Sequence, residues 1–253
     1  MPTSPVPPPH QPQGQPQAKR GGRKESPRGV PPRVPIRITE RDTDILVWVA
    51  RHGIVTMEQI ARRFWPPSQR QTAAAARVRK LCMAHPPLLQ RDATHIGEPS
   101  VIRVTPHGAR LADVEIGPAR LIHAEVHHAL AIVDLTEALA EKYPKATLLT
   151  ERERRAELYR AKRAGQRKMT GRIPDAVFVF PATGGKKERT VAVELDRTAR
   201  SRTDAETVIK AYLAERYSEV WWYVRPSRVE TVRALTKRMR VDDFIEVRPW
   251  VGA

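Results

Sequence analysis

From residue 45 to residue 64, apolar side chains recur at three- and four-residue spacing, the period that gathers them on one side of an α-helix. Ile45, Leu46, Trp48 and Val49 form the first stripe, opened by Thr39 with Glu40 and Asp42 behind it and stopped by Gly53. Met57, Ile60, Ala61 and Phe64 form a second, ended by Trp65, Pro66 and Pro67. A third helix is predicted to open at Ser68 and run through QRQTAAAARVRKLCMA, which carries Arg70, Arg77, Arg79 and Lys80 and no acid. The pattern then becomes strand-like at residues 88–91 and 101–105, on either side of a Gly97-Glu98-Pro99 turn. Pro106 suits the first turn of a short helix, and Gly117-Pro118 marks a boundary.

Beyond that boundary, residues 121–143 are apolar on most sides, as a helix buried in a second domain requires. A strand is predicted at 146–150. Residues 151–172 hold nine Arg or Lys against three Glu, with Gly165 and Gly171 among them. They read as a partly mobile basic loop or, equally, as a solvated charged helix. Residues 173–196, IPDAVFVFPATGGKKERTVAVELD, read as two strands joined by a Gly-Gly-Lys-Lys turn. A helix at 203–217, a buried strand at 219–225, a basic amphipathic helix at 227–239 and a strand at 244–251 complete the chain. The expected order of this half is helix, strand, strand, strand, helix, strand, helix, strand.

The candidate chemistry lies in the two central strands. Side chains alternate along a strand, so Glu194 and Asp196 share one face while Val193 and Leu195 fill the other. If the strands pair as a hairpin across residues 181–188, Asp175 joins the same sheet end, and three carboxylates converge. Such groups repel unless they are solvated, protonated or joined by a cation. Oxygen ligands at a strand edge suit a partly hydrated Mg²⁺, with Asp175 and Glu194 as the metal ligands. The plainer alternative is that Asp175 caps a strand and the other two acids are solvated at its end. Lys210, on the following helix, is a candidate for neutralising charge at a phosphate, against an ordinary surface pair with Glu206 four residues back.

Composition narrows the partner. A net charge of +17 over 253 residues, with pI near 10.7, makes an acidic polymer the default, nucleic acid before an anionic membrane. No apolar run approaches the roughly 18 residues of a spanning helix, and no apolar signal-peptide core opens the chain, so a soluble, cytoplasmic protein is expected. Residues 1–35 hold 11 of the 23 prolines and six basic residues against one acid, the composition of a disordered tail. The single cysteine, Cys82, excludes an internal disulfide and suits a small buried hydrophobe. His123 and His127 are four apart, but HAEVH lacks the glutamate that a zinc-protease motif places after its first histidine.

Two helices, a basic helix and a hairpin follow the order of a winged helix-turn-helix, in which the third helix enters the major groove. Arg77 or Arg79 would then reach guanine edges and Arg70 a phosphate, with Lys80 and Arg103 completing the DNA-binding set. The alternative is a basic solvated face in a protein-interaction module. Residues 120–253 resemble the PD-(D/E)xK nuclease-like superfamily through Pro174, Asp175 and Glu194. Asp196 stands where that superfamily has lysine. The resemblance nominates Lys210 in its place and Glu151 as a further acid. In chain order, ITERDTDILVWVARHGIVTMEQIARRFW, TPHGARLA, HHALAIVDL, IPDAVFVF, VELDRTA and IKAYL resemble the replication-relaxation family of plasmid and integrative-element proteins, over about residues 36–226. That resemblance implies a bacterial, high-GC source and a role at a mobile element's origin.

The expected fold class is therefore α/β (α+β): a disordered tail over 1–35, a winged helix-turn-helix domain over 36–117, and a PD-(D/E)xK-like α/β domain with a mixed central sheet over 118–253. The expected function is that of a DNA-binding accessory protein for plasmid or mobile-element replication, relaxation or conjugative transfer, with double-stranded DNA as partner. A Mg²⁺-dependent endonuclease or nickase and a transcriptional regulator are the alternatives. A relaxase or replication protein and a second copy of the chain are the candidate protein partners, and no membrane is.

Overall fold

The computed structural model describes residues 36–95, 98–165, 172–185, 187–198 and 200–252. The predicted disordered tail and part of the predicted mobile basic loop lie outside them.

Helix α1 (Glu40–His52) begins where the pattern places it. The Thr39 side chain accepts from the Asp42 backbone N–H while Asp42 reaches back to Thr39, so two of the end's unpaired donors are satisfied. Gly53, at φ +86°, closes the helix in a conformation that side-chain-bearing residues rarely adopt. Strand β1 (Val55–Thr56) leads into α2 (Met57–Phe64), capped by Thr56 and Gln59 in the same reciprocal way.

The predicted third helix is interrupted. Residues Pro67–Gln69 make a tight 3₁₀ turn, Arg70–Ala74 a widened turn with i→i+5 bonding, and only Ala75–Met83 is regular helix α3. Strands β2 (Leu89–Asp92) and β3 (Val101–Val104) pair antiparallel, and β1 adds to the other side of β3 to give the order β1-β3-β2. Helix α4 (Pro106–Leu111) follows directly, capped by Thr105.

A 3₁₀ turn at His123–Glu125 precedes α5 (Val126–Lys142). Then come β4 (Thr147–Thr150), α6 (Glu151–Arg163), β5 (Ala176–Phe180), β6 (Arg189–Asp196), α7 (Arg202–Leu213), β7 (Glu219–Val224), α8 (Val229–Arg238) and β8 (Ile245–Pro249). The sheet runs β4-β5-β6-β7-β8, antiparallel as far as β6 and parallel beyond it. The expected order lacks α6. Thr150 and Glu153 form a third capping box there, so the basic segment starts as a helix rather than a loop.

The two faces of β6 build separate cores. Val191, Val193 and Leu195 pack with Phe178, Trp221 and the α5 residues Leu135 and Leu139. Ala192 lies with Trp222 and the α7 and α8 residues Ile209, Tyr212 and Val232. Each fully buried Leu, Ile or Phe contributes about 1.5–3 kcal/mol.

Helix α5 also faces the first half of the chain. Val133 joins the core of α1–α4, and Val126 packs with Ile54, Val101 and Ala119 across the Gly117-Pro118 boundary. Polar contacts follow the same seam. Trp48 Nε1 donates to Glu137 at 2.9 Å, Gln59 Nε2 to the Leu130 carbonyl at 2.9 Å, and Arg51 Nε to Glu153 at 2.8 Å.

Candidate functional site

Side chains along α3 and the turn before it divide between a packed and an open face. Ala74, Val78 and Leu81 are buried against α1 and α2, whereas Thr72, Ala73, Ala76, Arg79, Lys80 and Met83 are exposed. The nominated cations fall on both sides. Arg77 turns back: its Nε donates to Asp42 Oδ1 at 2.7 Å and its Nη2 to the Arg37 carbonyl and to Asp42 Oδ2. Arg70 donates to the Trp65 and Arg62 carbonyls at 3.2 and 3.4 Å, capping the end of α2. Arg103 is held by Asp92 and the Ala119 carbonyl. Arg79 and Lys80 remain on the open face. Cys82, half-buried, packs against the same core, and burial pushes its thiol up.

At the other end of the chain, the β5–β6 register pairs Ala176 with Val193, so Asp175 follows directly opposite Glu194. Glu194 is wholly buried. Its oxygens accept from Arg172, from Arg200 Nη2 at 2.9 Å and from the Tyr212 hydroxyl. Asp196, on the same face, pairs with Arg200 Nε at 3.3 Å. Asp175 Oδ2 accepts the Leu195 backbone N–H at 2.7 Å, and its Oδ1 lies 3.1 Å from His128 Nε2. Burial and then the Asp175 charge push the Glu194 carboxyl up, against the pull of Arg172 and Tyr212. The bond to Asp175 raises His128 despite burial, and burial beside Glu194 pushes the Tyr212 hydroxyl well up.

The converging acids are therefore answered by guanidiniums and a phenol. Protein donors engage the Glu194 oxygens and both Asp175 oxygens. Among the described residues, no group of three His, Cys, Asp or Glu is arranged to hold a metal ion. Lys210 is exposed and adds its charge beside Glu206. Glu151 pairs with Arg155 one turn along α6, although it lines the same cleft as Asp175. Of the two histidines spaced for a metal, His127 pairs with Glu98 at 2.6 Å and the His123 ring lies tilted against His95.

Sequence reasoning missed Arg172, Arg200, Tyr212 and His128 as partners of the acids. Tyr212 carried a signal, since a tyrosine in a buried stripe needs a hydrogen-bond acceptor for its hydroxyl. Arg200 stands four residues after Asp196, but no helix joins them to make that spacing informative. Arg172 lies 22 residues from Glu194 and carried none.

A family model described as replication-relaxation matches residues 46–228. No curated protein and no solved structure matches the chain. No described helix is long and apolar enough to cross a membrane.

Proposed function

The chain belongs to the replication-relaxation family, and serves replication or relaxation of a plasmid or mobile element; from that premise we propose that it does so by binding duplex DNA as an accessory protein. The observation that carries this reading is the open face of α3. It offers Arg79 and Lys80 without ion-pair partners among the described residues, on a chain of net charge +17. The order α1, α2, α3 and the β2–β3 pair, with β1 completing a three-stranded sheet, supports a winged helix-turn-helix. Small side chains, Ala73 and Ala76, occupy much of that face, so backbone phosphates are favoured over base edges as its main contacts.

The second half of the chain supports the complex as a scaffold. The register that sets Asp175 against Glu194 supports a nickase of the PD-(D/E)xK type as second reading. The arginines on Glu194 weigh against it.

The test is fluorescence anisotropy on a labelled duplex across a salt series. The double variant Arg79→Glu, Lys80→Glu is expected to bind at least about tenfold more weakly, with the salt slope reduced by about 1 per lost phosphate contact. Unchanged affinity and slope would overturn the assignment of α3 as the DNA-binding helix.

A further inference from the structure

A cleft of about 1050 Å³ opens between the end of α1, the segment entering α5, the first turns of α6 and the end of the sheet at Asp175 and Arg197. It is at the upper limit of small-molecule pockets, which run to about 1,000 Å³.

Most acids in its lining are already neutralised. Glu151 pairs with Arg155, Asp196 with Arg200, Glu115 with Arg160, and Asp175 with His128. Exposed Glu125 is left against Arg120, Arg152, Arg197 and Arg225. Two of these arginines are incompletely satisfied: Arg152 Nε and Arg197 Nε are buried without a hydrogen-bond partner. A buried donor left unmade is costly, and an ordered water or a ligand acceptor supplies the missing bond. Phosphate oxygens match a guanidinium best. Burial holds both arginines below their usual pKa, and Arg225 adds repulsion at Arg197, so an anion would relieve both.

Two apolar side chains line the same space. Tyr159 on α6 is 54% exposed and Ile122 is 50% exposed. Arg152 Nη2 donates to the Gly117 carbonyl and Arg197 lies over the Trp250 ring, so neither has a carboxylate partner among the described residues. An exposed aromatic beside such arginines is the combination that binds single strands, since bases stack on the ring while cations track the backbone. The approach of Arg152 to the cleft depends on Gly53, where an added Cβ would lie 3.0 Å from Arg152 Cδ.

We propose that this cleft is a second nucleic-acid site, separate from the α3 face, which holds a short stretch of single-stranded DNA with a base stacked on Tyr159 and phosphates on Arg152 and Arg197. Such a site would let one chain hold duplex and an adjoining unpaired strand together.

The experiment is anisotropy of fluorescein-labelled dT8 with the full chain. Tyr159→Ala is expected to weaken dT8 binding roughly 5- to 100-fold, the effect of one stacked base, while Tyr159→Phe retains it. Arg197→Ala is expected to weaken it as well, and neither change should alter duplex affinity. An abasic eight-mer is expected to bind as weakly to the wild type as dT8 does to Tyr159→Ala. The proposal is overturned if Tyr159→Ala and Arg197→Ala leave dT8 binding unchanged, or if the abasic strand binds as tightly as dT8. Binding of rU8 more than tenfold tighter than dT8 would overturn the assignment to DNA. The α3 double variant separates the two sites: it should lose duplex and keep dT8.

Discussion

Arg77 and Arg79 stand two positions apart in one basic helix, yet their environments oppose each other. Asp42 is fully buried, and although burial alone would raise its pKa, hydrogen bonds from Arg77 and Thr39 hold it below the usual aspartate value. Removing Arg77 leaves that carboxylate buried and unpaired, so Arg77→Ala is expected to cost about 3–5 kcal/mol in urea unfolding at neutral pH. Arg79→Ala should stay within about 0.5 kcal/mol. Because Asp42 is depressed in the folded state, the stability it contributes is present above its unfolded pKa of 3.8 and is lost as pH falls through the folded value. The Arg77→Ala deficit should therefore shrink in strong acid; a deficit independent of pH would show that the ion pair is not its source. No local pattern distinguishes the two arginines, since the partner of Arg77 lies 35 residues away in sequence. The same applies to Glu194, whose strand position was legible while its guanidinium partners were not.

Helix ends, by contrast, were legible where the chain supplies its own caps. Thr39 with Asp42 and Thr56 with Gln59 mark two starts, and Thr150 with Glu153 marks α6, a signal that the segment's dense charge obscures. The widened turn at Arg70–Ala74 had no comparable mark, and neither did the Arg70 bond back to the Trp65 carbonyl at the end of α2. Helix α4 shows packing overriding propensity. Gly→Ala inside a helix ordinarily gains about 1 kcal/mol. At Gly108 an added Cβ would sit 2.1 Å from the Leu88 carbonyl oxygen, backbone that already accepts the Thr105 N–H. Gly108→Ala is thus expected to destabilise by about 1–3 kcal/mol in thermal or urea unfolding. A gain in stability would mean that α4 does not dock so closely on the chain before β2.

Over the whole molecule, α5 is the shared element. Its residues enter the core of the first half, the core of the sheet and the cluster across Gly117-Pro118, and Gln59, Trp48 and Arg51 bond across the same seam. Residues 36–252 are therefore expected to unfold in a single transition, with near- and far-UV circular dichroism falling together; two separated transitions would show that the seam is not cooperative. By itself, the sequence determined most of the elements, the alternation that puts Glu194 and Asp196 on one face, the basic balance and the family, because periodicity, capping and charge are local or additive properties. Only the tertiary structure decided which cations are engaged and which remain open, and that two arginines and a tyrosine gather on Glu194. It also brought Tyr159, Arg152 and Arg197 to one cleft. Those outcomes depend on contacts between residues tens of positions apart, which the order of side chains along the chain does not encode one pair at a time.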